Sequence, residues 1–161
     1  MWKMKVEKEY EKQPAADGKE IDWAQIYKEK NLGSWRHIVE KDLEARGVKQ
    51  GLIISKAGDI TWGRSPMFRL HKGEFEEIAH CLDRGYGQKC HTAICISGTR
   101  YLLVRCDDST TIKLKNGTKG ACIWKTQQAV IIATYEESRL TLATCTDVVG
   151  RLADWMLQNG N

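Results

Sequence analysis

Apolar positions change their period along this chain, and each change marks an element. In "SWRHIVEKDLEARG", Trp35, Ile38, Val39 and Leu43 recur at helical spacing. Ser34 stands there as an N-cap and Gly47 as a stop. "GLIISKAGDITWGRS" reads as a hairpin, with an apolar strand, a turn over 56–59 and a second strand carrying Trp62. "HKGEFEEIAHCLDRG" returns to helical spacing, with Phe75, Ile78, Ala79 and Leu82 on one side. Over 92–134 the signal is almost all strand. "TAICIS", "TRYLLVRCDD", "STTIKLK", "KGACIWKT" and "QAVIIATY" are parted by short polar turns, which demand an antiparallel meander. A last helix over 144–158 carries Val148, Val149, Leu152 and Met156 as its apolar stripe, with Trp155 at the margin.

The predicted order is helix, two strands, helix, five strands, helix. Its natural solution is an α+β domain with a central antiparallel β-sheet and the N- and C-terminal helices packed on one face. Residues 1–33 stand apart from this domain, which covers 34–161. Seven lysines and seven acids leave the segment without net charge, and up to Glu20 it has little to bury. Residues 1–20 therefore read as disordered. Residues 22–32 read as a short helix or docking segment, with Asp22 as cap, Trp23, Ile26 and Tyr27 on one face, and Gly33 as its end.

Composition narrows the class. The chain has 161 residues, 42% hydrophobic and 29% charged, with a net charge of +4, as expected of one soluble globular domain. No apolar run approaches a membrane span. The first residues, "MWKMKVEKEYEKQ", are too charged for a signal peptide, so a cytoplasmic protein with reduced cysteines is expected. Those cysteines are Cys81, Cys90, Cys95, Cys106, Cys122 and Cys145. "CHTAIC" holds His91 between Cys90 and Cys95, but no CxxC pair accompanies it, so small buried apolar residues are a better reading than zinc ligands. No cofactor is implied. The four histidines are scattered, no catalytic or P-loop motif occurs, and "NGTKG" is better read as a hairpin turn than as a phosphate cradle.

Charge is uneven. Arg84, Lys89, Arg100, Arg105, Lys113, Lys115, Lys119 and Lys125 face only Asp107 and Asp108 within 84–125. This is either a solvated sheet face or a surface for an acidic partner. Arg105 follows "YLLV" inside a strand, so it must emerge at a sheet end or be paired. Trp124, inside "ACIWK", reads as core or face packing. Trp35, Trp62 and Trp155 each stand near the end of an element. If both terminal helices share a sheet face, the three indoles can meet in a shallow groove suited to a polyproline helix.

From Ser34 onward the sequence resembles the profilin family. The resemblance rests on "SW", "GDITWGRS", "KGEFEEI", "ISGTRYLLVR", "KLKNGTKGACIWKT" with "QAVIIATY", and "VVGRLADWM", in that order. It implies a monomeric, non-enzymatic cytoskeletal protein that binds monomeric actin, proline-rich segments of actin regulators and phosphoinositide lipids, with no nucleic-acid partner. The implied poly-proline site is Trp35, Ile38, Trp62 and Trp155. Ile38 replaces a tyrosine usual in the family, and Asn161 falls where some animal members end in an aromatic residue, so weaker proline-rich binding is expected. The implied actin site is Arg100, Arg105, Lys113, Lys115, Thr146 and Arg151, with Asp147 in place of a lysine of some animal members. Phosphoinositides would share these cations. The segment before Ser34 is atypical; it reads either as a flexible tail with a partial helix or as a segment whose Trp23 and Tyr27 fold back on the indoles and tune proline-rich binding. A ligand sensor of the PAS kind, which shares the helix-flanked sheet, or another interaction module without actin binding stands as the alternative class.

Overall fold

Strand β7 shows how the sheet is built, because almost every one of its residues is buried (Ala129–Glu136). A strand buried on both sides must lie between two layers. The computed structural model describes residues 32–84, 93–107 and 110–161, and shows those layers. Seven antiparallel strands run in the order β2-β1-β7-β6-β5-β4-β3. They are β1 (Gln50–Ser55), β2 (Thr61–Arg64), β3 (Ala93–Ile96), β4 (Thr99–Asp107), β5 (Thr111–Asn116), β6 (Lys119–Lys125) and β7. The expected element order and α+β architecture hold.

Side chains alternate between two cores. On one face Ile53, Trp62, Cys122, Ile131, Ala133 and Tyr135 pack beneath helices α1 (Leu32–Ile38) and α3 (Leu142–Gln158). On the other, Leu52, Ile54, Ile112, Leu114, Ile123 and Ile132 pack with Phe68 and helix α2 (Glu74–Arg84). The period of two along each strand sorts its apolar residues between the helical layers.

Helix α1 departs from the expected boundaries. From Leu32, the first described residue, it already includes Gly33 and Ser34, so Ser34 does not cap it and Gly33 ends no helix. Beyond Ile38 the chain continues as a π-helical turn (Val39–Leu43) and a 3₁₀ turn (Glu44–Arg46), then stops at Gly47 in the left-handed region, φ 108°. The backbone of α1 rests directly on β2, where a Cβ on Gly63 would stand 2.7 Å from the carbonyl oxygen of Trp35. The side chain of Leu43, fully buried, lies directly over Gly51. Ser65 donates to Glu44 and accepts from the Gly51 N–H, tying the end of this helical run to the hairpin. Apart from Leu32, the expected helix over 22–32, with Trp23 and Tyr27, lies outside the described residues.

Helix α3 starts two residues before its expected position, with the Thr141 side chain accepting from the Thr144 N–H. Cys145, Val149, Leu152, Ala153 and Met156 form its buried stripe. Its far end is pinned to the β6–β7 turn, where the Asn161 main-chain oxygen accepts from Gln128 N–H (2.6 Å) and Thr126 Oγ1 (2.9 Å). The cysteine reading holds for Cys81, Cys122 and Cys145, which are buried, while Cys95 and Cys106 are half-buried. Burial pushes the Cys122 thiol up to about 11, against the lowering effects of Thr146 and Lys113, and raises Cys145 as well. Tyr135, its ring seated over Gly120, is pushed up to about 12, chiefly by burial.

On the opposite face one buried carboxylate clamps α2 to the β3–β4 turn. Glu74 accepts from the main-chain N–H groups of His71 (2.8 Å), Ser97 (2.6 Å) and Gly98 (2.8 Å). Ser97 and Gly98 both have positive φ, 52° and 88°, which turns their N–H groups toward it. Removing the carboxylate leaves three donors without their acceptor, so Glu74→Ala should cost about 2–4 kcal/mol in a urea melt. Gly63→Ala should cost about 1–3 kcal/mol by overpacking. It should also alter the tryptophan emission, because α1 must lift from β2; an unchanged spectrum and melting curve would contradict the contact.

Candidate functional site

The first candidate surface is the aromatic cluster. Trp35 from α1, Trp62 from β2 and Trp155 from α3 do come together. The Trp35 ring centroid lies 4.9 Å from that of Trp62 and 6.3 Å from that of Trp155, the latter nearly edge to face. These separations suit attractive quadrupolar geometries. Ile38 packs half-buried against the same core. The rings are not equally presented: Trp35 is 6% exposed, Trp62 8% and Trp155 45%. The shallow groove expected from three element ends is therefore two indole margins with one broadly open indole beside them. Placing Trp35 and Trp62 at element ends did not keep them out of the core, because the helix and hairpin close over each other there.

Next to Trp155 the helical run after α1 and helix α3 leave a depression of about 260 Å³. Val148, Leu152 and Trp155 form its apolar lining, and Asp42, Arg46 and Arg151 its polar lining. Arg46 reaches Asp42 at 4.0 Å.

The second candidate surface lies on the same sheet face, beyond the helices. The buried residues under α1 and α3 come from β1, β2, β6 and β7, so that face of β4 and β5 is left open. Leu102 and Val104 are 55% and 53% exposed there. Arg105 reaches this face through an irregularity in β4. Leu103 pairs with Leu114 and Arg105 with Lys113, so Val104 is the extra residue of a bulge. Strict alternation would have put Arg105 on the same side as Leu103, against the core under α2. The bulge carries it across, and its side chain is largely exposed.

Around Arg105 lies a depression of about 410 Å³ lined by Arg105, Asp107, Thr110, Thr111, Lys113, Trp124 and Thr146. Two like charges face each other across the strand pair, and Asp107 separates them. Its carboxylate lies 2.5 Å from Arg105 Nε and 3.6 Å from Lys113 Nζ. Without that carboxylate the opposed cations would repel. Lys115, paired in register with Leu102, forms an ion pair with Glu137. Arg100 lies exposed on β4, where its carbonyl accepts from Asn116 Nδ2 at 2.8 Å. Trp124 is half-buried rather than enclosed. Its ring edge touches Gly150 of α3 and its remainder lines the depression.

Of the six expected actin-site residues, Arg105, Lys113 and Thr146 line one depression, and Arg100 and Lys115 extend it along β4 and β5. Arg151 lines the depression beside Trp155 instead. Sequence reasoning did not single out Leu102, Val104 or Trp124 for this surface. Four consecutive apolar residues in "YLLV" were the available signal, since one of a strand's two faces must then present apolar groups outward. Among the described residues no cluster of metal-ligating side chains occurs, and no helix is long and apolar enough to cross a membrane. Cys90 and His91 lie outside the described residues.

Comparison with known proteins agrees with this architecture. Residues 33–161 match the Profilin family. Among solved structures, profilin II of Acanthamoeba castellanii is 28% identical, with a TM-score of 0.66 over 79% of this chain and 99% of that one. Profilin IB of the same organism is 25% identical, with a TM-score of 0.69 and the same coverage of each chain. A structure described as a LokiProfilin2/rabbit actin complex matches in fold, at 18% identity and a TM-score of 0.57 over 73% of this chain and 94% of that one. With the family match spanning most of the sequence and the sheet, helices and indoles arranged as described, this chain belongs to the profilin family.

Proposed function

We propose that the chain is a cytoplasmic binding module that holds monomeric actin on the open face of β4 and β5 and proline-rich segments at the indole cluster, and so regulates actin polymerisation. The observation that carries this reading is the exposed apolar pair Leu102 and Val104, set among Arg100, Arg105, Lys113 and Lys115 on a face that none of the described helices covers. Apolar centre and cationic surround are the anatomy of a surface for an acidic protein. Thr146 brings the first turns of α3 into the same face. Two matched structures are complexes of Loki profilins with rabbit actin, which supports the same reading here. Any effect on actin's nucleotide exchange would come from shifting the partner's conformational populations, with no chemistry done by this chain.

At the other surface, Trp155 provides the open aromatic plane, with the margins of Trp35 and Trp62 beside it. A polyproline helix exposes rings and unpaired carbonyls, and such a plane takes the rings. Ile38 contributes packing but no hydroxyl. Phosphoinositide headgroups have the charge to compete with actin for Arg105 and Lys113.

Arg105→Glu should weaken the delay of spontaneous actin polymerisation by about a hundredfold or more in protein concentration, since like-charge juxtaposition at an interface costs several kcal/mol. Retained potency would remove the sheet face from the interaction. Trp155→Ala should reduce affinity for a proline-rich peptide about tenfold or more, as expected for truncating an aromatic anchor. It should leave the actin assay little changed; a peptide titration equal to that of the parent chain would place the peptide elsewhere.

A further inference from the structure

Trp155 borders two spaces at once, the aromatic cluster and the depression beside it. We propose that this depression is an acid-reading subsite, in which Arg151 and Arg46 select proline-rich segments carrying an Asp or Glu next to the proline run. The proposal rests on the assignment of proline-rich binding to the indoles.

The placement follows from helix geometry. Val148, Arg151, Leu152 and Trp155 lie three, four and seven residues apart and share one side of α3. Asp42 and Arg46 answer from the helical run after α1. Trp155 belongs both to the indole cluster and to this depression, which Asp42 and Arg46 line together with Val148 and Arg151. The depression therefore continues the line of the indoles along the helix pair. Arg151 lies about 6 Å along α3 from Trp155, one helical turn. A polyproline helix advances about 3.1 Å per residue, so a side chain about two residues beyond the ring on Trp155 comes level with Arg151.

Charge chooses the occupant. Two guanidinium groups face one carboxylate in this space, and Arg46 reaches that carboxylate only at 4.0 Å. Arg151 is exposed and has no ion pair among the described residues. A guanidinium matches a carboxylate with two parallel hydrogen bonds, which an uncharged peptide cannot supply. Val148 and Leu152 provide an apolar floor for the intervening proline ring. The same surface opposes a lysine at that point, so the subsite both attracts and excludes.

The test is a fluorescence titration of the full chain with four peptides: an uncharged ten-proline peptide, the same run with Glu two residues beyond its N-terminal end, the run with Glu two residues beyond its C-terminal end, and the run with Lys at both of those places. One Glu-flanked peptide should bind about two- to fivefold tighter than the uncharged one, the range of an exposed ion pair. The Lys peptide should bind more weakly, and both differences should shrink in 0.5 M salt. In R151Q the ratio of Glu-flanked to uncharged affinity should fall toward one, and further in the R46Q/R151Q double variant. If all peptides bind equally, the subsite is wrong while proline-rich binding stands. A preference that survives undiminished in the double variant also overturns it. If no peptide binds, the assignment of the indoles falls and the subsite with it.

Discussion

The contact on which the aromatic surface depends is the seating of α1 on the first hairpin. At Gly63 the helix backbone comes within a methyl group's reach of the strand, leaving no room for any side chain between them. That approach puts the Trp35 ring against Trp62 and leaves it edge to face with Trp155. The energy comes from removing large indole surfaces from water, at roughly 25 cal/mol per Å², and the geometry comes from the missing Cβ. With α1 held there, α3 has a fixed neighbour, and its stripe of Cys145, Val149, Leu152 and Met156 closes the core. The open part of Trp155 is what this packing leaves uncovered.

The second surface exists because, among the described residues, α1 and α3 cover only part of one sheet face. Four strands lie under α1 and α3, while the remaining part of the sheet projects beyond them. There the strands have a buried side, packed with α2, and an open side. A single bulge in β4 decides which side Arg105 takes. Asp107 then makes the adjacent cations tolerable by standing between them. The patch therefore has less positive charge than the count of lysines and arginines implies, and more exposed apolar area.

The two surfaces meet at α3. Thr146 belongs to the cationic depression, and Arg151 and Trp155 to the other, although all three lie within one helix. Gly150 sits between them in the chain and lets the Trp124 ring approach the helix closely. Helix α3 thus serves as the shared wall of two binding regions, anchored at one end by the Thr141 cap and at the other by the hold of Thr126 and Gln128 on Asn161.

Much of this was legible in the residues. The element order, the antiparallel meander, the alternation between two cores and the stripe of α3 follow from hydrophobic period, which is a local property. The gathering of Trp35, Trp62 and Trp155 followed once both terminal helices were put on one face. Three things were not legible. The inclusion of Gly33 and Ser34 within α1 and its π-helical turn were not signalled, because hydrophobic period marks an apolar face and not a helix boundary or its winding. The crossing of Arg105 to the open face needs a bulge, which is a disagreement between two strands and so cannot be seen in one. The separation of Arg151 from Arg105 depends on which side of α3 meets which neighbour. Period along the chain determines what is buried; which buried and exposed groups become neighbours is decided only when distant segments pack.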